Sequence, residues 1–391
     1  MYQYSASILS ALLILPRSDY TLVVAFTDPA WERHLPTNVK RVPVHLSRSF
    51  RAIAGLWVLL GLSHRFWLRH VTSISSAVRE IVKQNCDLWI FPRQDLWSSR
   101  FPVPTFAAIH DLMHRYEPQF SESAGFGRRR YRDTYMRDLT RHSVGILAES
   151  NVGAQHIRES YGADPGKLFV LPYIPPPYLL EGNMTKDFDA KYRLPDKFLF
   201  YPAQFWPHKN HARLVQALAR ALASGADIHL VLTGDERNEY RSIRMLVHKL
   251  QLGQHVHFAG CVPEQDIAEF YRRARALIYP TLYGPTNIPP IEAFVLGCPV
   301  AVSGIYAMPE LLGDAALLFD PRSEEQLTDS MLHLWNDDLL CRHLSVAGRE
   351  RAQTWGYSQF AASLHCVLET VTSPTITSRS GTGEALSVAT S

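Results

Sequence analysis

The chain has 391 residues, 46% of them hydrophobic and 20% charged, with 40 lysines and arginines against 37 aspartates and glutamates. The length predicts two or three domains, and the apolar share excludes wholesale disorder. The formal charge of +3 is too mild to point to nucleic acid as a partner.

Met1 leads straight into a helical pattern, with Tyr4, Ile8, Leu9, Leu12 and Leu13 on one face. Short, continuous apolar runs then predict strands buried on both faces. They lie at Tyr20–Phe26, Lys40–His45, Leu88–Phe91, Thr105–Ile109, Gly145–Ala148 and Leu168–Leu171. Helical patterns between them include Ser73–Gln84 and Val152–Tyr161. Pro172, Pro175, Pro176, Pro177 and Pro195 mark a semi-rigid connector. A second block follows, with strands at Phe198–Tyr201, Ile228–Thr233, Val256–Phe258, Ala276–Tyr279, Val300–Val302 and Ala316–Phe319. Its helices fall near 210–223, 236–250, 264–273, 290–296 and 324–335. A last helix runs from Tyr357 to about Val371, and the Ser/Thr/Gly-rich end is expected to be disordered.

Strand alternating with helix, twice over, predicts an α/β protein of two doubly wound parallel sheets. The expected domains are 1–178 and 197–356, joined by a linker at 179–196 and followed by a helix at 357–372 and a tail at 373–391. A doubly wound domain normally opens with a strand and a glycine turn. Neither stands at the start of the first block, so the expectation is a start misassigned or truncated ahead of Met1, truncation favoured, or a half that works without them. The five cysteines (Cys86, Cys261, Cys298, Cys341, Cys366) share no C-x-x-C spacing, which predicts a reducing compartment without disulfides. No apolar run reaches the roughly 20 residues of a membrane span, and no signal-peptide pattern is read, so a cytoplasmic protein is expected.

The informative loops follow strands. After Tyr279 comes Pro280, then Thr281–Asn287, and a short helix that Pro289 and Pro290 open and Gly297 closes. A helix start at the carboxyl end of a parallel strand is where such folds bind phosphate. Glu292 in that helix reads either as a dipole or capping residue or as a ligand for sugar hydroxyls. Lys209 follows the first strand of block two and reads either as a solvated cation or as a phosphate contact. Leu232-Thr-Gly234-Asp235 ends the next strand. In block one, His110 and Asp111 follow the strand Thr105–Ile109. Asp111 reads either as a helix cap or as a site residue, and His110 as a structural or a site histidine.

"HDLMHRYEP", "YPAQFWPHKNH", "LTGD", "GPTNIPPIEAFVLGCPVAVS" and "MPELLGDAALLFDP" together resemble the retaining GT-B glycosyltransferases of family 4 (group 1), which often transfer mannose. The resemblance spans about residues 1–371 and is strongest over 198–356. It implies two Rossmann-like domains facing a central cleft, with the C-terminal helix crossing back to the first domain. It implies transfer of a hexose, with retention, from a GDP- or UDP-sugar to a glycan or lipid-linked acceptor in cell-surface polysaccharide synthesis. Glu292 matches the second Glu of the family's E-x7-E motif, on the donor ribose. Lys209 matches the lysine on the diphosphate. Gln204 stands where arginine is common, and Gly284 replaces the first Glu of the motif. Thr286, Asn287 and Ile288 are expected to hold phosphate and sugar through their amides, with Gly234 and Asp235 completing the donor site. His110 matches the family's active-site histidine and, with Asp111, marks the acceptor side. His110, Lys209 and Glu292 are the expected catalytic residues.

No D-x-D or His/Asp cluster is read at ligand spacing, so neither a metal nor a cofactor is expected beside the donor. Arg128, Arg129, Arg130, Arg132, Arg137 and Arg141 are offset only by Asp133 and Asp138. Arg48, Arg51, Arg65 and Arg69 lie among Phe50, Trp57, Phe66 and Trp67. Such a surface suits peripheral docking on anionic lipid at the inner face of the membrane, or is a solvated helix face. Nucleic acid is not an expected partner. Gln204 and Gly284 leave one alternative, a non-catalytic protein that binds nucleotide-sugar or glycan. An oxidoreductase is disfavoured, because no G-x-G-x-x-G follows a predicted strand.

Overall fold

The computed structural model describes residues 2–16, 19–120, 127–176, 179, 185 and 187–373. The expected tail beyond Ser373, and residues 180–184 and 186 of the expected linker, lie outside the described residues. The chain divides into two compact units. The first holds residues up to Tyr116, then 127–172, and the chain from Tyr357 onward; the second holds 117–120 and 173–356.

In the first unit, β1 (Val23–Phe26) pairs in parallel with β2 (Lys40–Pro43). A separate parallel sheet runs β3 (Trp89–Phe91), β4 (Thr105–Ala108), β5 (Gly145–Ala148) and β6 (Leu168–Val170), in that order. One continuous doubly wound sheet was the expectation; among the described residues it is two sheets, and no strand pairs with both β1 and β3. Every residue of β4 and β5 is buried, as a strand covered on both faces requires. Phe50, Ala54, Val78, Ile81, Met136 and Leu139 come from the surrounding helices and fill the same core.

Serine caps set the helix boundaries. The hydroxyls of Ser47, Ser63, Ser75 and Ser150 accept the amides of Phe50, Phe66, Val78 and Gly153. Each such cap is worth about 1 kcal/mol. Ser75 also divides the helix expected over Ser73–Gln84. Its backbone is extended (φ −131°, ψ 119°), so one helix ends at Ile74 and the next begins at Ser76.

The helices Tyr2–Ile14 and Tyr357–Thr372 pack against each other within this unit. Tyr4 is fully buried. Its ring stands edge-on to His110 at 5.3 Å and to Phe360 at 6.2 Å, and its hydroxyl donates to the Leu171 carbonyl at 3.1 Å.

The second unit is one six-stranded parallel sheet: β7 (Leu199–Pro202), β8 (Leu230–Thr233), β9 (Val256–Gly260), β10 (Ala276–Tyr279), β11 (Val300–Ser303) and β12 (Leu317–Phe319). The spatial order is β12-β11-β10-β7-β8-β9. The chain builds outward from β7 to β9, then returns to the other side of β7 as β10. A ligand crevice opens at such a reversal, at the carboxyl ends of the strands. The described residues of the expected linker, 179, 185 and 187–196, belong to this unit, whose main stretch begins at Tyr173. Phe188, in a short helix (Phe188–Tyr192), is buried 5.0 Å from the Phe270 ring. Lys191 pairs with buried Asp266 at 2.7 Å.

Candidate functional site

The β10-β7-β8 order makes the loops after these three strands neighbours. They carry the residues singled out from the sequence. After β7 the chain turns through Pro207–Lys209 into the helix His211–Ala223. Asn210 sits in the left-handed region (φ 62°), and its buried amide donates to the carbonyls of Pro280 and Pro321, both at 3.0 Å. That bolts the turn to the segments after β10 and β12. The Tyr201 hydroxyl donates to the Lys209 carbonyl at 2.6 Å. Lys209 is therefore held from behind, and its Nζ points across the reversal. It donates to the Tyr279 hydroxyl at 3.1 Å and to Asn287 Oδ1 at 3.4 Å.

Asn287 is the residue before the helix Ile288–Leu296, which Gly297 ends in the left-handed conformation (φ 71°). Asn287 is buried and does not cap the helix with its side chain. The side chain turns instead to Lys209 and to Tyr279, whose hydroxyl lies 3.4 Å from Oδ1. Gly284 makes room for it. Its backbone has φ +152°, and a Cβ there would stand 2.6 Å from Asn287 Oδ1 and Nδ2. Gly284 is thus tied to the asparagine that faces the lysine.

Two features correct the sequence reading of this helix. Pro289 and Pro290 occupy its first turn and carry no N–H, so two of the four amides a helix start normally leaves free are missing. Asn287 and Ile288 still carry their N–H at this helix start. Glu292 lies beyond the first turn and is no capping-box residue. It is buried, and its Oε2 accepts the Tyr271 hydroxyl at 2.7 Å.

The β7 and β8 loops touch closely. Gly234 has φ +140°, and a Cβ there would lie 2.4 Å from the Ala203 carbonyl oxygen, so only glycine fits. Gln204 is exposed; it donates to Asp235 Oδ2 at 3.1 Å and accepts Trp206 Nε1 at 2.8 Å. Asp235 also holds Arg237 at 2.7 Å. Gln204 is uncharged, and Lys209 brings an ammonium to the reversal. His211, at the start of the next helix, stacks on Phe205 at 4.3 Å. Burial, with Lys209 and His208 adding to it, pushes its imidazole down to about 3.

Residues 117–120 belong to this unit, which the sequence did not suggest. Glu117 accepts the Tyr306 hydroxyl at 2.5 Å and lies 3.6 Å from Arg322. Tyr306 has φ 53°, a strained backbone for a non-glycine residue, and its ring packs against Tyr283 at 5.1 Å.

In the first unit, His110 and Asp111 stand just past β4. Both ring nitrogens of His110 end on protein groups: Nδ1 on buried Glu149, which follows β5, and Nε2 on the Pro92 carbonyl at 2.8 Å. Gln94 Oε1 accepts the backbone amides of His110 and Asp111. Asp111 Oδ1 accepts the Met113 amide at 3.0 Å, at the start of the short helix Met113–Tyr116. These contacts hold both residues in the turn after β4.

The sequence reading also passed over two spacings. Asp187-Phe-Asp189 is a D-x-D, but Asp189 is spent on Arg273 in an ion pair. Asp227-x-His229 and His255-x-His257 lie at the starts of β8 and β9, where parallel pairing draws Asp227, His229 and His255 together. Strand alternation of ligating residues was the signal.

Residues 184–351 match the family model for glycosyl transferases group 1. The chain is 26% identical over 175 residues to O-antigen chain mannosyltransferase B of Escherichia coli, covering 44% of each. It is 24% identical over 337 residues to the O-antigen chain mannosyltransferase RfbU of Salmonella typhimurium, covering 83% of this chain and 84% of that protein. The chain thus spans less than half the length of one of these curated relatives and most of the other. Among solved structures, that of Anabaena Alr3699/HepE in complex with UDP superposes with a TM-score of 0.69 at 15% identity, over 93% of this chain and 96% of the other.

Proposed function

We propose that this chain, a GT-B glycosyltransferase whose residues 184–351 match group 1, transfers a hexose, mannose foremost, from a nucleotide diphosphate-sugar to a glycan or lipid-linked acceptor. The observation that carries the reading is the meeting of Lys209 with Asn287 across the β7–β10 reversal. The relatives named as O-antigen mannosyltransferases support mannose and polysaccharide assembly.

As the bond from the anomeric carbon to the diphosphate oxygen breaks, negative charge gathers on the leaving phosphate. The Lys209 ammonium and the amides around Thr286–Ile288 are the groups assigned to that charge, with Gly234 and Asp235 on the β8 side. Glu292, oriented by Tyr271, is assigned to the ribose hydroxyls. No carboxylate is assigned as nucleophile. The acceptor hydroxyl attacks from the face that the diphosphate leaves, and its proton passes to the departing phosphate oxygen, so the anomeric configuration is retained. His110 and Asp111 position the turn after β4 rather than move a proton.

The acceptor is assigned to the first unit's basic face. On the helix Arg128–His142, Asp133 is spent on Arg115 and His114, and Asp138 on buried Arg100, so neither offsets Arg129, Arg130, Arg137 and Arg141. A groove of about 650 Å³ is lined by Arg129, Arg130, Arg137, Arg141 and Leu62 among others. Close in sequence to Leu62, Ile53, Leu56, Leu60 and Phe66 are exposed. Basic charge beside apolar surface suits a phosphate-bearing amphiphile at the inner face of a membrane. No helix among the described residues is long and apolar enough to cross one. The test is transfer from a panel of GDP- and UDP-sugars to lipid-linked acceptors, with the product's anomeric configuration read by NMR. The reading predicts transfer with retention; release of free sugar only, or an inverted product, contradicts it.

A further inference from the structure

The structure assigns a transition-metal site, of the zinc class, to Asp227, His229 and His255 at the amino end of the second unit's sheet. Asp227 and His229 lead into β8, and His255 leads into β9, the sheet's edge strand. Leu230 pairs with Val256, and the Leu230 amide donates to the His255 carbonyl at 2.8 Å. The ladder therefore reaches back to this point and sets His229 beside His255. The two-residue alternation of extended chain puts Asp227 on the same face as His229, and His257 on the same face as His255.

One ligand atom from each of Asp227, His229 and His255 lies within 4.8 Å of the others. Asp227 Oδ1 is 3.8 Å from His229 Nε2 and 3.7 Å from His255 Nδ1. Ligands about 2.0–2.2 Å from a tetrahedral ion stand roughly 3.4 Å apart, so small side-chain rotations close the set. The remaining nitrogen of His229, Nδ1, lies 3.1 Å from His257 Nε2. A ligating imidazole usually has its second nitrogen held in this way. His255 Nδ1 also faces the Ile228 carbonyl at 3.1 Å, and ligation exchanges that hydrogen bond for the ion, with the ring proton on Nε2. Asp227 is largely exposed and the two imidazoles about a quarter exposed, so an ion has access. Two imidazoles and one carboxylate favour zinc or its neighbours over magnesium. The site joins the segments entering β8 and β9, at the opposite strand ends from Lys209.

The test uses the full chain without an affinity tag, stripped with chelator, then titrated with zinc against a chromophoric chelator. One equivalent of zinc is expected, with magnesium failing to compete. His229→Ala and His255→Ala should each weaken binding at least tenfold, and His257→Gln by roughly tenfold. Asp227→Asn, at an exposed position, is a second route should a histidine variant misfold. Binding of a nucleoside diphosphate should not change in any variant. Failure of the native chain to hold zinc, or undiminished zinc binding in the His229→Ala/His255→Ala double variant and in Asp227→Asn, overturns the assignment.

Discussion

Replacing Gly284 with alanine probes the link from Gly284 through Asn287 to Lys209. The new methyl would stand 2.6 Å from both polar atoms of the Asn287 side chain. Asn287 has little room to retreat: it is buried, with Lys209 Nζ and the Tyr279 hydroxyl each 3.4 Å from Oδ1 and Met308 Sδ 3.8 Å from Nδ2. A left-handed alanine costs about 1–2 kcal/mol, and overpacking adds about 1–3. A net loss of about 2–5 kcal/mol lowers the melting temperature of a unit this size by roughly 4–20 °C. The displaced asparagine also releases Lys209, so nucleoside-diphosphate affinity should fall about tenfold. Gly253→Ala is the control, because nothing lies within 4 Å of a Cβ there. Differential scanning fluorimetry and calorimetric titration read both effects. A Gly284→Ala protein that melts and binds like the native chain refutes the reasoning.

Tyr271→Phe removes the hydroxyl that donates to buried Glu292 Oε2, and should cost about 1–3 kcal/mol of stability together with a measurable loss of donor affinity. Asp138→Asn strips the counter-charge from Arg100, whose side chain is wholly buried; chemical denaturation should show a loss of about 3 kcal/mol or more. His211 has a folded-state value of about 3, held down first by burial. The unfolded chain takes up that proton below about pH 6.5, so stability should fall as pH drops, by roughly 1.4 kcal/mol per unit between pH 6 and 3. His211→Phe should flatten this slope in denaturant titrations across pH; an unchanged slope contradicts the assignment.

All twelve strands among the described residues were legible in the sequence, because strands of a covered parallel sheet are unbroken apolar runs with little else to be. The loops of the candidate site were legible for a related reason: phosphate chemistry belongs at strand carboxyl ends. What escaped depended on partners distant in sequence. The separation of β1 and β2 from β3–β6 is a matter of pairing, which apolar runs do not encode. The docking of Glu117 on Tyr306 spans 189 positions. The helix break at Ser75 was in principle readable, since a serine whose hydroxyl accepts the amide three residues on competes with helix continuation. Spacing places His110 after β4 but does not say which groups its nitrogens meet.

The account rests on Lys209 facing a diphosphate at the β7–β10 reversal. Calorimetric titration of Lys209→Met with a nucleoside diphosphate and with the bare nucleoside tests this directly. The account predicts at least a tenfold loss for the diphosphate, little change for the nucleoside, and a turnover lower by 10²–10³, about 3–4 kcal/mol of barrier. Equal affinity of native and variant chains for the diphosphate, with turnover intact, would contradict it.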